Sequence, residues 1–356
     1  MNRFSSMDAE AKTPRLIVFD VGRALCALYI VGFHHVLDYL PHLKDLCNGP
    51  LEKSVKIGCL GFFFFCSSLL SSIRHGSGSM AGAVAFWKRR IVRIVPLYLL
   101  ALVSFSRPFM LTMSAIVGLN NFIPDIDGRN IPTLWFVSQL LVFYTLFPAL
   151  RAIRSKRRLV AVCLALEIVF WIGHSRFGWD RRLWWYFPLY AAGLIVSPFA
   201  EHQLFLSSVA LSLGFAFLAA CGMTHVCPVA TAFCGCGLVY LVAKTMSRAA
   251  FSIPFFRFLS FSSMSAYLFH RKLYHRLATP FVSSPGGDEL SSFSFLWMFG
   301  LCVPVVFLAG WAIQKGYDLL IRRMFPTATG KRRILQPDRQ TDCHESGFHQ
   351  GKEAKS

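Results

Sequence analysis

Long apolar runs separated by short polar segments dominate this chain. A helix of roughly 17 to 25 apolar residues crosses a bilayer, and lipid forces each spanning segment to satisfy its own backbone hydrogen bonds. The pattern therefore predicts an all-α integral membrane protein, a polytopic bundle of about ten transmembrane helices. The predicted spans are residues 16–40, 55–73, 91–117, 133–150, 158–174, 183–199, 204–222, 226–243, 258–277 and 292–314.

The basic residues between these runs predict how the bundle is oriented. Short cytoplasmic loops carry more Lys and Arg than external loops. Placing both termini in the cytoplasm puts Arg74, Lys88, Arg151 and Lys244 on the cytoplasmic side, each with further basic neighbours. One loop disagrees, because Arg176, Arg181 and Arg182 would lie outside, so the helix boundaries around residues 174–183 remain open.

The domain organisation is simple. Residues 1–325 are expected to form a single transmembrane domain, since no internal repeat or second soluble domain is evident. Residues 326–356 are polar and are expected to form a disordered cytoplasmic tail.

Composition excludes several classes of protein. With 54% hydrophobic and 15% charged residues and a mean hydropathy of +0.49, the chain is too apolar for an ordinary soluble domain. Its formal charge of +19 does not predict a nucleic-acid partner, because the basic residues form short clusters between apolar runs. The 11 cysteines are scattered without paired CxxC spacing, so no metal site is expected.

The first predicted helix carries an unusual row of ionisable residues. In FDVGRALCALYIVGFHHVLDYL, Asp20, Arg23, His34, His35 and Asp38 interrupt an apolar run. In a regular α-helix the eleven-residue separation of Arg23 and His34 is close to three whole turns, which places both on one face about 16 Å apart. Charged groups within a membrane usually face a cavity or a partner, so this face is expected to line a cavity.

His34 is the candidate general base of that face. A neutral imidazole near pH 7 can accept the proton of a sugar hydroxyl as the oxygen attacks a thioester carbonyl. The alternative is that His34 and His35 only form hydrogen bonds with neighbouring helices. His35 points about 100° away from the Arg23 face and is the better candidate for such a structural role.

A second basic cluster opens the third predicted helix, in FWKRRIVRIVPLYLL. Arg90 and Arg93 are one turn apart and can grip a single anion, because guanidinium groups offer forked donors that suit phosphate. That anion could belong to coenzyme A. The alternative is an ordinary cytoplasmic flank, which explains Lys88 and Arg89 well and Arg93, which lies deeper, less well.

Together these segments resemble the acyltransferase-3 family of membrane O-acyltransferases, which modify bacterial surface glycans and related acceptors. The resemblance rests on an Arg, ten residues and then a His in the first helix, and on the Arg-x-x-Arg pair in RRIVRIVPLY. It is supported by the looser segments GFFFFCSS, LWFVSQLLVFYTLFP and SAYLFHRKLYH.

The resemblance implies roles for particular residues. His34 would be the catalytic His, Arg23 its partner in the first-helix motif, and Arg90 and Arg93 the pair that contacts acyl-CoA. His270 matches a position where the family often has His, and with Arg271 and Asp38 it is a possible further site residue. The alternative for His270 and Arg271 is that they are ordinary polar residues near a helix end.

Two segments depart from the family pattern. Ser67-Ser68 stands where the family commonly has Ser-Gly after the phenylalanine run, which affects a close helix contact. Many members have acidic residues after the Trp of the fourth helix, whereas this chain continues Phe136-Val137-Ser138-Gln139 after Trp135. A role that needs a carboxylate there is not carried over.

The sequence thus favours a membrane O-acyltransferase, with O-acetyl transfer as the leading expectation. The donor would be acyl-CoA, acetyl-CoA first among them, with no tightly bound cofactor. The acceptor would be a hydroxyl of a surface polysaccharide or lipid-linked glycan. The expected location is the bacterial inner membrane, with several passes through the lipid. The alternatives are a non-enzymatic glycan or glycolipid carrier and an acyltransferase with a lipid acceptor.

Overall fold

The fold is taken from a computed structural model, which describes residues 14–40, 49–74, 80–105, 119–122, 134–196, 201–223, 227–249, 253–282 and 291–324. These residues form helices and no strand, which confirms the all-helical prediction. The chain divides into two compact units, residues 1–314 and 315–356. Within the second unit, the structure describes residues 315–324, the end of the last helix.

Twelve α-helices occur in the described residues. They are α1 (Pro14–Tyr29), α2 (His35–Leu37), α3 (Pro50–Arg74), α4 (Met80–Phe105), α5 (Trp135–Ala152), α6 (Lys156–Phe177), α7 (Arg182–Ile195), α8 (Glu201–Ala220), α9 (Pro228–Met246), α10 (Ile253–Val282), α11 (Ser291–Leu296) and α12 (Val303–Met324). Two π-helical segments, Ile30–His34 and Trp297–Cys302, join α1 to α2 and α11 to α12. A short 3-10 turn covers Asn120–Phe122.

Each of the ten predicted spans overlaps one of these helices or helix pairs. Outside the described residues lie residues 106–117, 133, 197–199 and 226 of these spans and the predicted tail, residues 326–356. Seven helical stretches among the described residues are long and apolar enough to cross a membrane: Ile17–Leu37, Pro50–Ile73, Trp135–Ala152, Lys156–Phe177, Gln203–Ala220, Pro228–Met246 and Ser294–Met324. These stretches support a multi-pass membrane protein. The count of ten spans and the cytoplasmic placement of both termini stay predictions.

Three helices at predicted spans are not among the seven. Helix α7 has only 14 residues, fewer than a membrane span needs. Helix α4 contains the basic cluster of Lys88 to Arg93, and α10 has several basic residues, Arg271 and Lys272 among them. These two helices are therefore long but highly charged.

Helix α3 lies at the centre of the first unit, packed against α1, α7 and α9. Its phenylalanine run supplies much of the core, and the side chains of Phe62 and Phe64 are fully buried. The Phe64 ring lies 4.7 Å from that of Phe136 and 5.2 Å from that of Tyr186. By contrast, the apolar windows of α6 and α8 are only 17% and 11% buried, as expected for surfaces that face lipid.

Small residues allow the central helices to approach closely. A Cβ atom added to Gly58 of α3 would lie 2.7 Å from Gly235 Cα of α9, so neither position has room for a side chain. Likewise, a Cβ atom on Gly310 of α12 would lie 2.7 Å from the Ala266 nitrogen of α10. Close contacts between small residues are typical of helix packing in membranes.

The boundary left open around residues 174–183 is a tight turn. Helix α6 ends at Phe177, and Gly178 follows in the left-handed conformation with φ of 68°, which glycine adopts at little cost. His174 Nδ1 lies 2.8 Å from the carbonyl oxygen of Trp179 and donates to it, which closes the turn before α7.

Candidate active site

The ionisable residues of the first predicted span lie in two separate regions. Arg23 lies in the middle of α1, and His34 lies at the end of the π-helical segment that follows. The wider turn of a π-helix changes the direction of the side chains after it, and such turns are frequent at functional sites. The π-helical segment was not predicted, and the same-face argument for Arg23 and His34 assumed a regular α-helix.

His34 is buried between two charged residues of α3. Its Nδ1 contacts Glu52 Oε1, and its Nε2 lies 3.2 Å from Lys56 Nζ. The side chains of His34 and Glu52 are each only 8% exposed. Glu52 and Lys56 are one helical turn apart, so a single face of α3 provides contacts for both ring nitrogens.

The carboxylate of Glu52 is held by a further contact. The Tyr29 hydroxyl donates to the Glu52 carbonyl oxygen at 3.2 Å and lies 3.5 Å from Glu52 Oε1. A carboxylate on one ring nitrogen of His favours the tautomer with the proton on that nitrogen. The Glu52 contact therefore favours a proton on His34 Nδ1 and a lone pair on Nε2.

Sequence reasoning missed Glu52 and Lys56. The second span was predicted to begin at residue 55, which left Glu52 in a loop, whereas α3 begins at Pro50. The available signal was the charged triplet Glu52, Lys53 and Lys56 at the edge of an apolar run. Ionisable residues at such positions are functional candidates in their own right.

A second group of polar residues adjoins His34. His35 Nδ1 lies 3.4 Å from Asp38 Oδ2, and Arg271 Nη2 lies 3.3 Å from that oxygen and 3.3 Å from His35 Nδ1. The Tyr39 hydroxyl donates to the Arg271 carbonyl oxygen at 3.2 Å. Asp38, predicted as a possible further site residue, thus contacts His35 and Arg271.

Asp38 lies just beyond the Ile17–Leu37 span. Burial alone would raise the pKa of its carboxyl group. The hydrogen bond with His35 and the positive charge of Arg271 outweigh that effect and lower the Asp38 pKa below its ordinary value. This carboxylate is therefore held in its charged form.

His270 links this group to the interior of the bundle. It is completely buried, its Nδ1 donates to the Tyr267 carbonyl oxygen at 2.7 Å, and its Nε2 has no hydrogen-bond partner among the described residues. Its ring lies 4.6 Å from that of His35, which lies 4.7 Å from that of His34. The three imidazoles form a row that runs from α3 toward Tyr267.

A polar cavity of about 210 Å³ lies farther back along α1. It brings together three predicted site residues, Arg23, Arg90 and Arg93, whereas His34 is not among the residues that line it. Other lining residues that carry polar groups are Asp20, Ser67, Tyr144, Ser263, Tyr267 and Gln314. Three guanidinium groups and one carboxylate line the cavity, so its field favours an anionic occupant.

The arginines of the cavity have defined contacts. Arg90 Nη2 donates to Ser71 Oγ at 2.6 Å, and the Arg90 guanidinium lies 4.7 Å from the centre of the Tyr144 ring. Arg23 lies 3.8 Å from Asp20 Oδ1. Arg23, predicted as the motif partner of His34, thus lies with the arginine pair, and the contacts of His34 come from α3.

The two departures from the family pattern have structural counterparts. Ser68 is buried where α3 meets α7, and Gly193 of α7 lies against it, so a glycine on the opposite helix makes room for the serine. Gln139 is also buried, and its Nε2 donates to the Arg182 carbonyl oxygen at 2.5 Å. Its amide therefore joins α5 to the start of α7.

The sequence model of the acyltransferase-3 family, described as an acyltransferase domain, matches residues 16–315. This range includes every candidate site residue named above. No curated protein and no solved structure matches the chain.

Proposed function

Because the chain belongs to the acyltransferase-3 family, we propose that it is a membrane O-acyltransferase with His34 as its general base. The acyl group would pass from acyl-CoA, acetyl-CoA first among them, to a hydroxyl of a surface polysaccharide or lipid-linked glycan. The observation that carries the proposal is the buried His34 in contact with Glu52, on the same helical stretch as residues that line an arginine-rich cavity. The bacterial inner membrane and cytoplasmic termini are part of the same proposal.

The chemistry assigned to His34 is proton transfer. Nε2 takes the proton of the acceptor hydroxyl while its oxygen attacks the thioester carbonyl. The carbon–sulfur bond then breaks, coenzyme A leaves as its thiolate, and the proton on His34 returns to that sulfur. Glu52 stabilises the imidazolium that forms in between, because its carboxylate stays on the Nδ1 side.

The arginine cavity suits the anionic end of the donor. Guanidinium groups bind phosphate through paired donors, and coenzyme A carries several phosphates. A volume of about 210 Å³ is below the roughly 300 to 1,000 Å³ of a typical ligand pocket, so only part of the donor would occupy it. We assign the phosphates to Arg23, Arg90 and Arg93.

The flexible arm of coenzyme A would bridge the two places. The cavity extends along α1 as far as Ala27, seven residues before His34, or about 10 Å of helix. Tyr267 lines the cavity and His270 lies next to it, so the row of imidazoles connects the cavity to His34 and gives the direction in which the thioester would extend.

Transfer of radiolabelled acetyl from acetyl-CoA into the cell-envelope glycan fraction tests the proposal. Membranes containing the wild type are compared with His34→Ala and with His174→Ala, a matched control on α6. We expect label with the wild type and the control and a loss of about 100-fold or more with His34→Ala.

Full transfer by His34→Ala would refute the assignment of the base. If neither the wild type nor any variant transfers acetyl or a longer acyl group, but the glycan crosses the membrane unchanged, the protein is a carrier.

A further inference from the structure

Lys56 lies against the ring nitrogen that the proposed reaction needs. Its Nζ is 3.2 Å from His34 Nε2, and with Nδ1 facing Glu52, Nε2 is the position that would accept the hydroxyl proton. An ammonium group has donors and no acceptor, so it donates to that lone pair. An acceptor hydroxyl can reach His34 only after Lys56 moves aside.

The same end of the bundle is rich in cationic side chains. Lys53 and Lys56 come from α3, and Arg271, Lys272 and Arg276 come from α10, which α1 contacts directly. The carboxylates of Asp38 and Glu52 lie among them. In the predicted orientation this is the external end, where basic residues are less common, so the positive-inside rule does not explain them.

Arg271 provides independent support for a ligand. Its Nη2 contacts Asp38 and His35, but its Nε is shielded from solvent and has no hydrogen-bond partner among the described residues. Leaving a charged donor shielded without an acceptor is costly. The Arg271 side chain as a whole is 32% exposed, so an anion can approach its guanidinium group from solvent.

We infer that this end of the bundle binds an anionic group of the acceptor, either a phosphate or a uronate carboxylate, through Lys56 and Arg271. The anion draws the Lys56 ammonium away from His34 Nε2, and the acceptor hydroxyl takes the position that Lys56 leaves. Binding of an acidic acceptor thereby exposes the base. This inference rests on the proposed function and adds to it the chemical class of the acceptor.

Binding measured without acyl-CoA tests this inference. The full chain is placed in nanodiscs of neutral phosphatidylcholine, and binding of farnesyl phosphate is compared with that of farnesol. In parallel, a trisaccharide with one uronate is compared with its neutral methyl ester. We expect at least one anionic probe to bind about tenfold or more tightly than its neutral partner, and that probe identifies phosphate or carboxylate.

Variants identify the residues responsible. Lys56→Met and Arg271→Met are expected to remove the preference for the anion, whereas Lys56→Arg retains the charge and should retain it. Lys88→Met, an exposed lysine on α4, is the matched control and should behave as the wild type. If Lys56→Arg keeps the preference for the anion, the protein also folds with a substitution at position 56.

Three outcomes would overturn the inference. The first is that anionic and neutral probes bind equally. The second is that Lys56→Met and Arg271→Met keep the preference for the anion. Alternatively, nanodiscs with phosphatidylglycerol abolish probe binding, which would make this a lipid-headgroup site. Because the assay contains no acyl donor, none of these outcomes tests acyl transfer, which has its own experiment. Failure to detect acyl transfer would likewise not change the binding result.

Discussion

The two polar regions along α1 are built in opposite ways. At the arginine cavity, three guanidinium groups line an open space with one carboxylate, and Arg90 is held by a serine hydroxyl and aromatic rings. At the histidine end, charged and titratable groups pair directly, His34 with Glu52 and Arg271 with Asp38. Both regions have more cationic than anionic side chains. The cavity directs its cations at an open space, whereas the carboxylates of the histidine end contact imidazole and guanidinium groups directly.

This difference follows from burial. Guanidinium groups that line a cavity can remain hydrated until an anion arrives, so they need no internal partner for each charge. An imidazole that gains a proton while it is only 8% exposed needs a nearby carboxylate, because an isolated buried charge is costly. Under the proposed function, the cavity binds the donor and the histidine end transfers the proton, so substitutions should affect these two roles separately.

The largest expected effect is at the histidine end. Glu52→Gln keeps the size of the side chain but removes the charge that stabilises protonated His34, so kcat should fall about 100-fold while KM for acyl-CoA stays unchanged. Steady-state acyl transfer measures both constants. Glu167→Gln on α6 is the control and should retain wild-type values. A matching rise in KM for acyl-CoA would show that the two regions do not act separately.

A smaller effect of the opposite kind is expected at the cavity. Arg90→Lys keeps the charge but loses the forked donors, so KM for acyl-CoA should rise about tenfold with little change in kcat. Arg89→Lys is the matched control, since Arg89 is the exposed neighbour and does not line the cavity. If both variants raise KM equally, the cationic flank as a whole attracts the donor and Arg90 has no special position.

A substitution in α3, whose packing supports both polar regions, should destabilise both of them equally. A Cβ atom on Gly58 would meet Gly235, so Gly58→Ala forces α3 and α9 apart and should destabilise the protein by about 1 to 3 kcal/mol. Thermal unfolding in detergent measures this, with Gly316→Ala as the control, because nothing lies within 4 Å of that position. An unchanged unfolding midpoint would mean that the crossing of α3 and α9 is looser than the structure indicates.

The helices were predictable because lipid imposes their length and apolar composition, and His34, Arg90 and Arg93 were noticeable as charges within apolar runs. The partners of His34 were not, because contacts between helices depend on packing that one-dimensional periodicity does not contain. The π-helical segment at Ile30–His34 has no compositional signal, so the direction of His34 could not be derived from a regular helix. Arg23 was noticeable as a charge, but its place with Arg90 follows from tertiary structure.

The smallest expected effect concerns Asp38, whose pKa is lowered by the hydrogen bond with His35 and by Arg271. Asp38→Asn should cost less than about 1 kcal/mol, because the side chain is 40% exposed and solvent screens such pairs. A carboxylate with a lowered pKa stabilises the fold at pH values above its ordinary pKa, and the stabilisation is lost as the pH falls through the lowered pKa. Unfolding midpoints of the wild type and Asp38→Asn should therefore differ at pH 7, and the difference should begin to shrink below about pH 4 and vanish below the lowered pKa. A difference that does not shrink as the pH falls below about 4 would mean that Asp38 acts through hydrogen bonds independent of its charge, and the contrast between the two regions would then rest on Glu52 and His34 alone.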